Sequence, residues 1–202
     1  MRVRSTAFIV LLLAPGIVPG CSPSLWESEF KSNGAPAPPL ARDAAVRLRE
    51  VPWERLQGAL GELRAQVASS DVHPDDWSPA QRADAHARLL RGLQITSDPA
   101  AVQVLGRSEF RTTSRVRPSD PQLEQFARRV GATTVIWTST YTGKADSIEQ
   151  EPVNEWRTGT ITDRLNRERR ADAFYSDNAT IWIPVVVQKD EYAWMAYFLR
   201  ER

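Results

Sequence analysis

Cysteine is almost absent from this chain: there is one thiol in 202 residues, alongside two histidines and a formal charge of only +1. A single thiol excludes an internal disulfide, so the folded part must be held together by its apolar core. Near-neutral charge argues against a general polyanion binder, and nucleic acid is not expected as a partner. No apolar run beyond the N-terminus approaches the ~20 residues that cross a bilayer. A phosphate loop is missing too: Gly58 and Gly61 fall within a helical stripe and lack the lysine and hydroxyl that would follow them. No metal site, cofactor motif or internal repeat stands out, and no cofactor is expected.

What is present begins at the N-terminus. Arg2 and Arg4 precede an apolar run from Ala7 to Ala14, which ends in Val18-Pro19-Gly20-Cys21. The run is too short to span and reads as an export signal covering residues 1–20, removed on maturation. Loss of Arg2 and Arg4 with it brings the formal charge to −1. The ending resembles a bacterial lipoprotein signal, with Gly20 before the cysteine, Val18 for the usual leucine and Pro19 for the usual small residue. The resemblance implies a diacylated Cys21, with palmitate-type chains, as the first residue of the mature protein. The alternative is an ordinary secreted protein with a free Cys21. Ser22 is not the aspartate that retains lipoproteins at the inner membrane, so in a Gram-negative host the expected address is the outer membrane, facing the periplasm.

Residues 21–39 are rich in Ser, Asn, Gly and Pro and read as a tether. A helical region, 40–97, is expected next. It opens with a helix over Leu40–Arg49 that ends before Pro52. A second helix follows, whose Trp53, Leu56, Leu60, Leu63 and Val67 share one stripe. Ser78-Pro79-Ala80-Gln81 carries a capping box with proline at the first helical position, and Leu89, Leu90 and Leu93 form that helix's apolar face, so the two should pair as a hairpin.

Residues 98–202 read as a small α+β domain. Ala101–Leu105 is a short strand, Ser119–Val130 a helix stopped by Gly131, and Ala132–Tyr141 a β-branched strand parallel to the first. Ala179–Val187 and Tyr192–Arg200 read as an antiparallel hairpin about the turn Gln188-Lys189-Asp190, with Pro184 marking an edge or a bulge. Residues 142–177 read as a mobile or partly helical insertion. The fold expected is therefore α+β, with the helical hairpin packed on a small mixed sheet of β-α-β and a β-hairpin. Period two places Tyr192, Trp194, Ala196 and Phe198 on one face and Ala193, Met195, Tyr197 and Leu199 on the other. One face should meet the Leu123-Phe126-Val130 helix, and the other is either covered by the helical hairpin of residues 52–93, the favoured reading, or exposed as an interaction surface.

The run Gly131-Ala132-Thr133-Thr134-Val135-Ile136, then Tyr141-Thr142-Gly143 and the closing Tyr192-Ala193-Trp194-Met195-Ala196-Tyr197-Phe198, resembles a loosely defined group of uncharacterised bacterial lipoproteins over roughly residues 102–200. The resemblance implies an envelope domain and no particular reaction.

Candidate chemistry is sparse. Gly106-Arg107-Ser108-Glu109-Phe110 looks like a hydrolase nucleophile elbow, but Phe110 stands where the turn needs glycine and both histidines precede the serine. His73-Pro74-Asp75-Asp76 matches no common metal spacing and reads as a connecting loop. His86, among leucines, reads as an inter-helix residue with one hydrogen-bond partner. Arg164, Arg167, Arg169 and Arg170 could meet anionic headgroups, lipopolysaccharide or nucleic acid, but Asp163, Glu168 and Asp172 interleave them, and the plainer reading is a salt-bridged solvated helix. The function expected is a lipid-anchored envelope protein that binds or supports and does not catalyse, with the membrane and an unknown envelope protein or polymer as partners. The rival is an envelope hydrolase or wall-modifying enzyme that uses His73 or His86 with nearby carboxylates.

Overall fold

The structure, a computed structural model, describes residues 23–34, 37–162 and 172–201. Cys21, Arg164, Arg167, Arg169 and Arg170 lie outside the described residues. Among the described residues four α-helices, α1 (Leu25–Ser28), α2 (Trp53–Ala68), α3 (Pro79–Gly92) and α4 (Pro121–Val130), accompany five strands. The strands are β1 (Phe30–Ser32), β2 (Arg47–Glu50), β3 (Val102–Thr112), β4 (Thr134–Thr162) and β5 (Asp172–Glu201). They form one mixed sheet in the order β1-β3-β5-β4-β2. This is an α+β fold, with the helical hairpin α2–α3 on one face and α4 on the other.

Both faces are filled by the alternation of β5. Trp194, Ala196 and Phe198 pack with Leu123, Phe126 and Ala127 of α4, while Met195, Tyr197 and Leu199 pack with Leu56, Leu60, Leu90 and Leu93 of the hairpin. Phe30, Phe126 and Phe198 meet edge to face with centroids 5.1–5.3 Å apart. The Ser78–Gln81 capping box is complete, and Gly131 ends α4 in the left-handed region at φ 82°. The expected stripe on α2 is buried only in its first half, because Leu56 and Leu60 are covered whereas Val67 is exposed.

Several expectations are corrected. Leu40–Arg49 is not a helix. Its last residues enter β2, parallel to β4, because Val46 and Leu48 alternate with Arg47 and Arg49, and the free sheet edge supplies bonds such as Arg47 N–H to Thr133 O at 3.0 Å. The Arg49 guanidinium on the opposite face donates to the carbonyls of Leu93 and Gln94 at 2.7 and 2.9 Å, satisfying groups at the end of α3. Residues 21–39 are not simply a tether, since Trp26 is buried in the core and β1 pairs with β3.

The expected strand Ala101–Leu105 runs on to Thr112. A bulge at Leu105 shifts the register, which moves the later side chains to the α4 face: Val104 sits on the hairpin side, Phe110 on the other. Strands β3 and β4 are parallel, as expected, but β5 lies between them, antiparallel to both.

The largest correction concerns the C-terminal half. Gln188-Lys189-Asp190 is not a turn: β5 passes straight through it, paired with Asp146, Ala145 and Lys144. The stretch 142–177 is not helical in its described part. After a bulge at Thr142, Gly143–Thr162 pairs with Asp172–Glu191 as a two-stranded ribbon, roughly 65 Å long at ~3.3 Å per residue. Strand β3 stops opposite Tyr192, so the ribbon leaves the body alone.

Candidate functional site

A row of side chains crosses the hairpin face of the sheet, because Lys31 of β1 stands opposite Arg107 of β3, and Arg107 opposite Tyr197 of β5. Above this row α2 contributes Leu60, Leu63, Arg64 and Val67, and α3 contributes Leu89. Together they line an open cleft of about 650 Å³ between the hairpin and the β1 edge. Its walls are aliphatic and its rim is cationic, with Lys31, Arg64 and Arg107 supplied by three different elements. Of the three, only Arg107 has a carboxylate within 4.0 Å among the described residues, Glu109 at 3.9 Å.

Tyr197 forms part of the cleft floor. Burial raises its hydroxyl above the ordinary 10.0, while the hydrogen-bonded Arg107 pulls in the opposite direction, so the phenol stays protonated at neutral pH. The arrangement suits an apolar molecule carrying an acidic group, because apolar contacts set affinity and a few placed charges set orientation.

The residues singled out from sequence are not brought together. Ser108 is fully buried in mid-strand, its hydroxyl donating to the Trp26 carbonyl at 2.6 Å. The elbow glycine has a packing role instead, since a Cβ on Gly106 would lie 2.5 Å from Lys31 O. His73 is exposed on a 3-10 turn, where its ring accepts from Asp75 N–H at 3.4 Å. His86 is half-buried on α3, across the sheet from Ser108, and its Nε2 is buried without the expected hydrogen-bond partner. Among the described residues no cluster of three metal-ligating side chains exists, and no helix is long and apolar enough to cross a membrane.

Sequence reasoning missed Lys31, Arg64 and Arg107: Lys31 and Arg107 meet only through strand register, and Arg64 joins them only because α2 packs over that face of the sheet. The chain matches no protein-family model, no curated protein and no solved structure.

Proposed function

We propose that this chain is a lipid-anchored bacterial cell-envelope protein, held in the membrane by a lipid on Cys21 and acting by binding. The address rests on the export signal and its closing cysteine. In a Gram-negative host the address is the outer membrane, facing the periplasm. The observation that carries a binding role is the cleft, where aliphatic walls from α2 and α3 meet Lys31, Arg64 and Arg107. Its ligand is an amphiphile with a carboxylate or phosphate head.

Titration of the mature Cys21→Ser chain with a fluorescent long-chain fatty acid tests this reading. Saturable binding should weaken by tenfold or more in Arg64→Glu with Lys31→Glu, since each change places a carboxylate on the rim. No saturable binding, or unchanged binding in the double variant, would remove the cleft as the site.

A further inference from the structure

The ribbon displays an apolar stripe that no other described element covers. On one face Ile148, Trp156, Trp182 and Val186 are 73, 70, 63 and 68% exposed. Pro152 opposite Trp182 and Pro184 opposite Gln150 continue the same stripe. The other face is mixed: Val153, Ile181 and Ile183, each 38% exposed, lie among Glu149, Glu151 and Glu155.

Strand addition is disfavoured at both edges. Proline has no N–H to give its partner strand, so the ladder can hold Pro152 and Pro184 only where their backbone points outward, and each open edge thus lacks a donor in mid-length. A partner must come through the face.

The position of the anchor identifies that partner. Consecutive Cα atoms are ~3.8 Å apart, so Cys21 lies within about 11 Å of Ser24 however the chain runs between them. Ser24 opens α1, whose Trp26 packs on Phe110 and Trp194 with ring centroids 4.8 and 5.9 Å away. These rings sit at the end of the sheet where β3 stops and the ribbon leaves, two residues short of the Thr112–Tyr192 pair. Exposed Leu25 borders a depression shared with Arg115, Val116 and Arg117, in which Asp120 is the acid. Arg115 also borders the ribbon base beside Lys189 and Tyr192. Neither Arg115 nor Arg117 makes an ion pair with a described residue.

We infer that the Ile148-Trp156-Trp182-Val186 face of the ribbon docks on the lipid bilayer that holds Cys21, with Arg115 and Arg117 meeting anionic headgroups at its base. The inference rests on the lipid-anchor reading, because that anchor places this end of the sheet at the membrane. Tryptophan is favoured at the headgroup level, and basic side chains beside an apolar surface strengthen attachment to anionic lipid. The diacylated cysteine holds the chain in the bilayer, and the ribbon face adds a second, orienting attachment to the same surface.

The test uses the mature chain with Cys21→Ser, so that no lipid assists, and flotation with vesicles of phosphatidylethanolamine and phosphatidylglycerol. The chain should float with these vesicles and its tryptophan emission should shift to the blue. Trp156→Ser with Trp182→Ser should cut binding by tenfold or more, and Trp156→Phe with Trp182→Phe should retain most of it. Arg115→Glu with Arg117→Glu should weaken binding to these vesicles on the order of tenfold and leave binding to phosphatidylcholine vesicles little changed.

Circular dichroism and melting temperature of each variant must match the parent, which the exposure of these side chains makes attainable. A parent chain that stays with the soluble fraction, or a serine double variant that binds as tightly as the parent, would overturn the proposal. A dimer built on the stripe and lost in the serine double variant, with no vesicle binding, would also overturn it and assign the face to a second copy of the chain. The mass of the mature N-terminus reports the lipid separately, so failure of the anchor and failure of the ribbon contact give different results.

Discussion

The same two strands, β4 and β5, run through two different environments. Between Thr134 and Thr138 and between Ala193 and Leu199 they lie inside the sheet, with α4 on one face and the α2–α3 hairpin on the other, and most of their side chains are buried. From Gly143 to Thr162 and from Asp172 to Glu191 they pair only with each other. The run Ile181-Trp182-Ile183-Pro184-Val185-Val186-Val187 is as apolar as the buried end of β5, yet Trp182 and Val186 are exposed. Composition makes both regions extended, and burial is decided by whether a helix is available to cover them.

Core truncation should show the difference most strongly. Phe198→Ala removes a fully buried ring that meets Phe30 and Phe126, and should cost about 3–5 kcal/mol in a denaturant melt. Trp182→Ala on the ribbon should change stability by no more than about 0.5 kcal/mol. Equal losses would mean that the ribbon is part of the cooperative core.

A smaller effect is expected where the hairpin closes on itself. A Cβ on Gly92 would overlap the Ala59 methyl, so Gly92→Ala should cost about 1–3 kcal/mol. Adding Ala59→Gly should recover much of that loss in a double-mutant cycle, and additive losses would show that the two helices do not meet there.

The contrast between body and ribbon explains what the sequence made legible. Short-range chemistry was readable: Ser78 and Gln81 specify a cap, Gly131 a stop, and the alternation from Tyr192 to Leu199 two buried faces. Longer-range pairing was not. Val46-Arg47-Leu48 becomes a strand only because β4 offers an open edge, and the strand run Gly143–Thr162 is punctuated by Pro152 and charged residues that suggest a loop until its partner is known. The cleft was hidden for the same reason, because Lys31, Arg107 and Tyr197 are far apart in the chain and neighbours only in register. The glycine in the apparent elbow motif serves the approach of β1, a contact that no local pattern announces.

Local stability should divide along the same boundary. Amides of residues 193–199 should exchange with solvent only at the free energy of global unfolding, whereas those of 144–158 and 177–190 should exchange through a cheaper opening. Coincident protection in native-state hydrogen exchange would merge the two regions into one unit.

The smallest effect concerns Tyr197 in the body. Well below pH 10 its phenol is protonated in both folded and unfolded chains and contributes no pH dependence. Above the ordinary value the unfolded chain ionises while burial keeps the folded phenol protonated, so stability falls as pH rises through that window. Thermal melts between about pH 8 and 11 should show a shallower fall in Tyr197→Phe than in the parent. An unchanged slope would mean that the hydroxyl is not held in a buried site.

The claim that ties body and ribbon to one surface is the lipid on Cys21, and intact mass spectrometry of the mature protein isolated from membranes tests it most directly. The account predicts a chain that begins at Cys21 and carries the added mass of a diacylglyceryl group on its sulfur. A soluble chain with an unmodified Cys21 would contradict it.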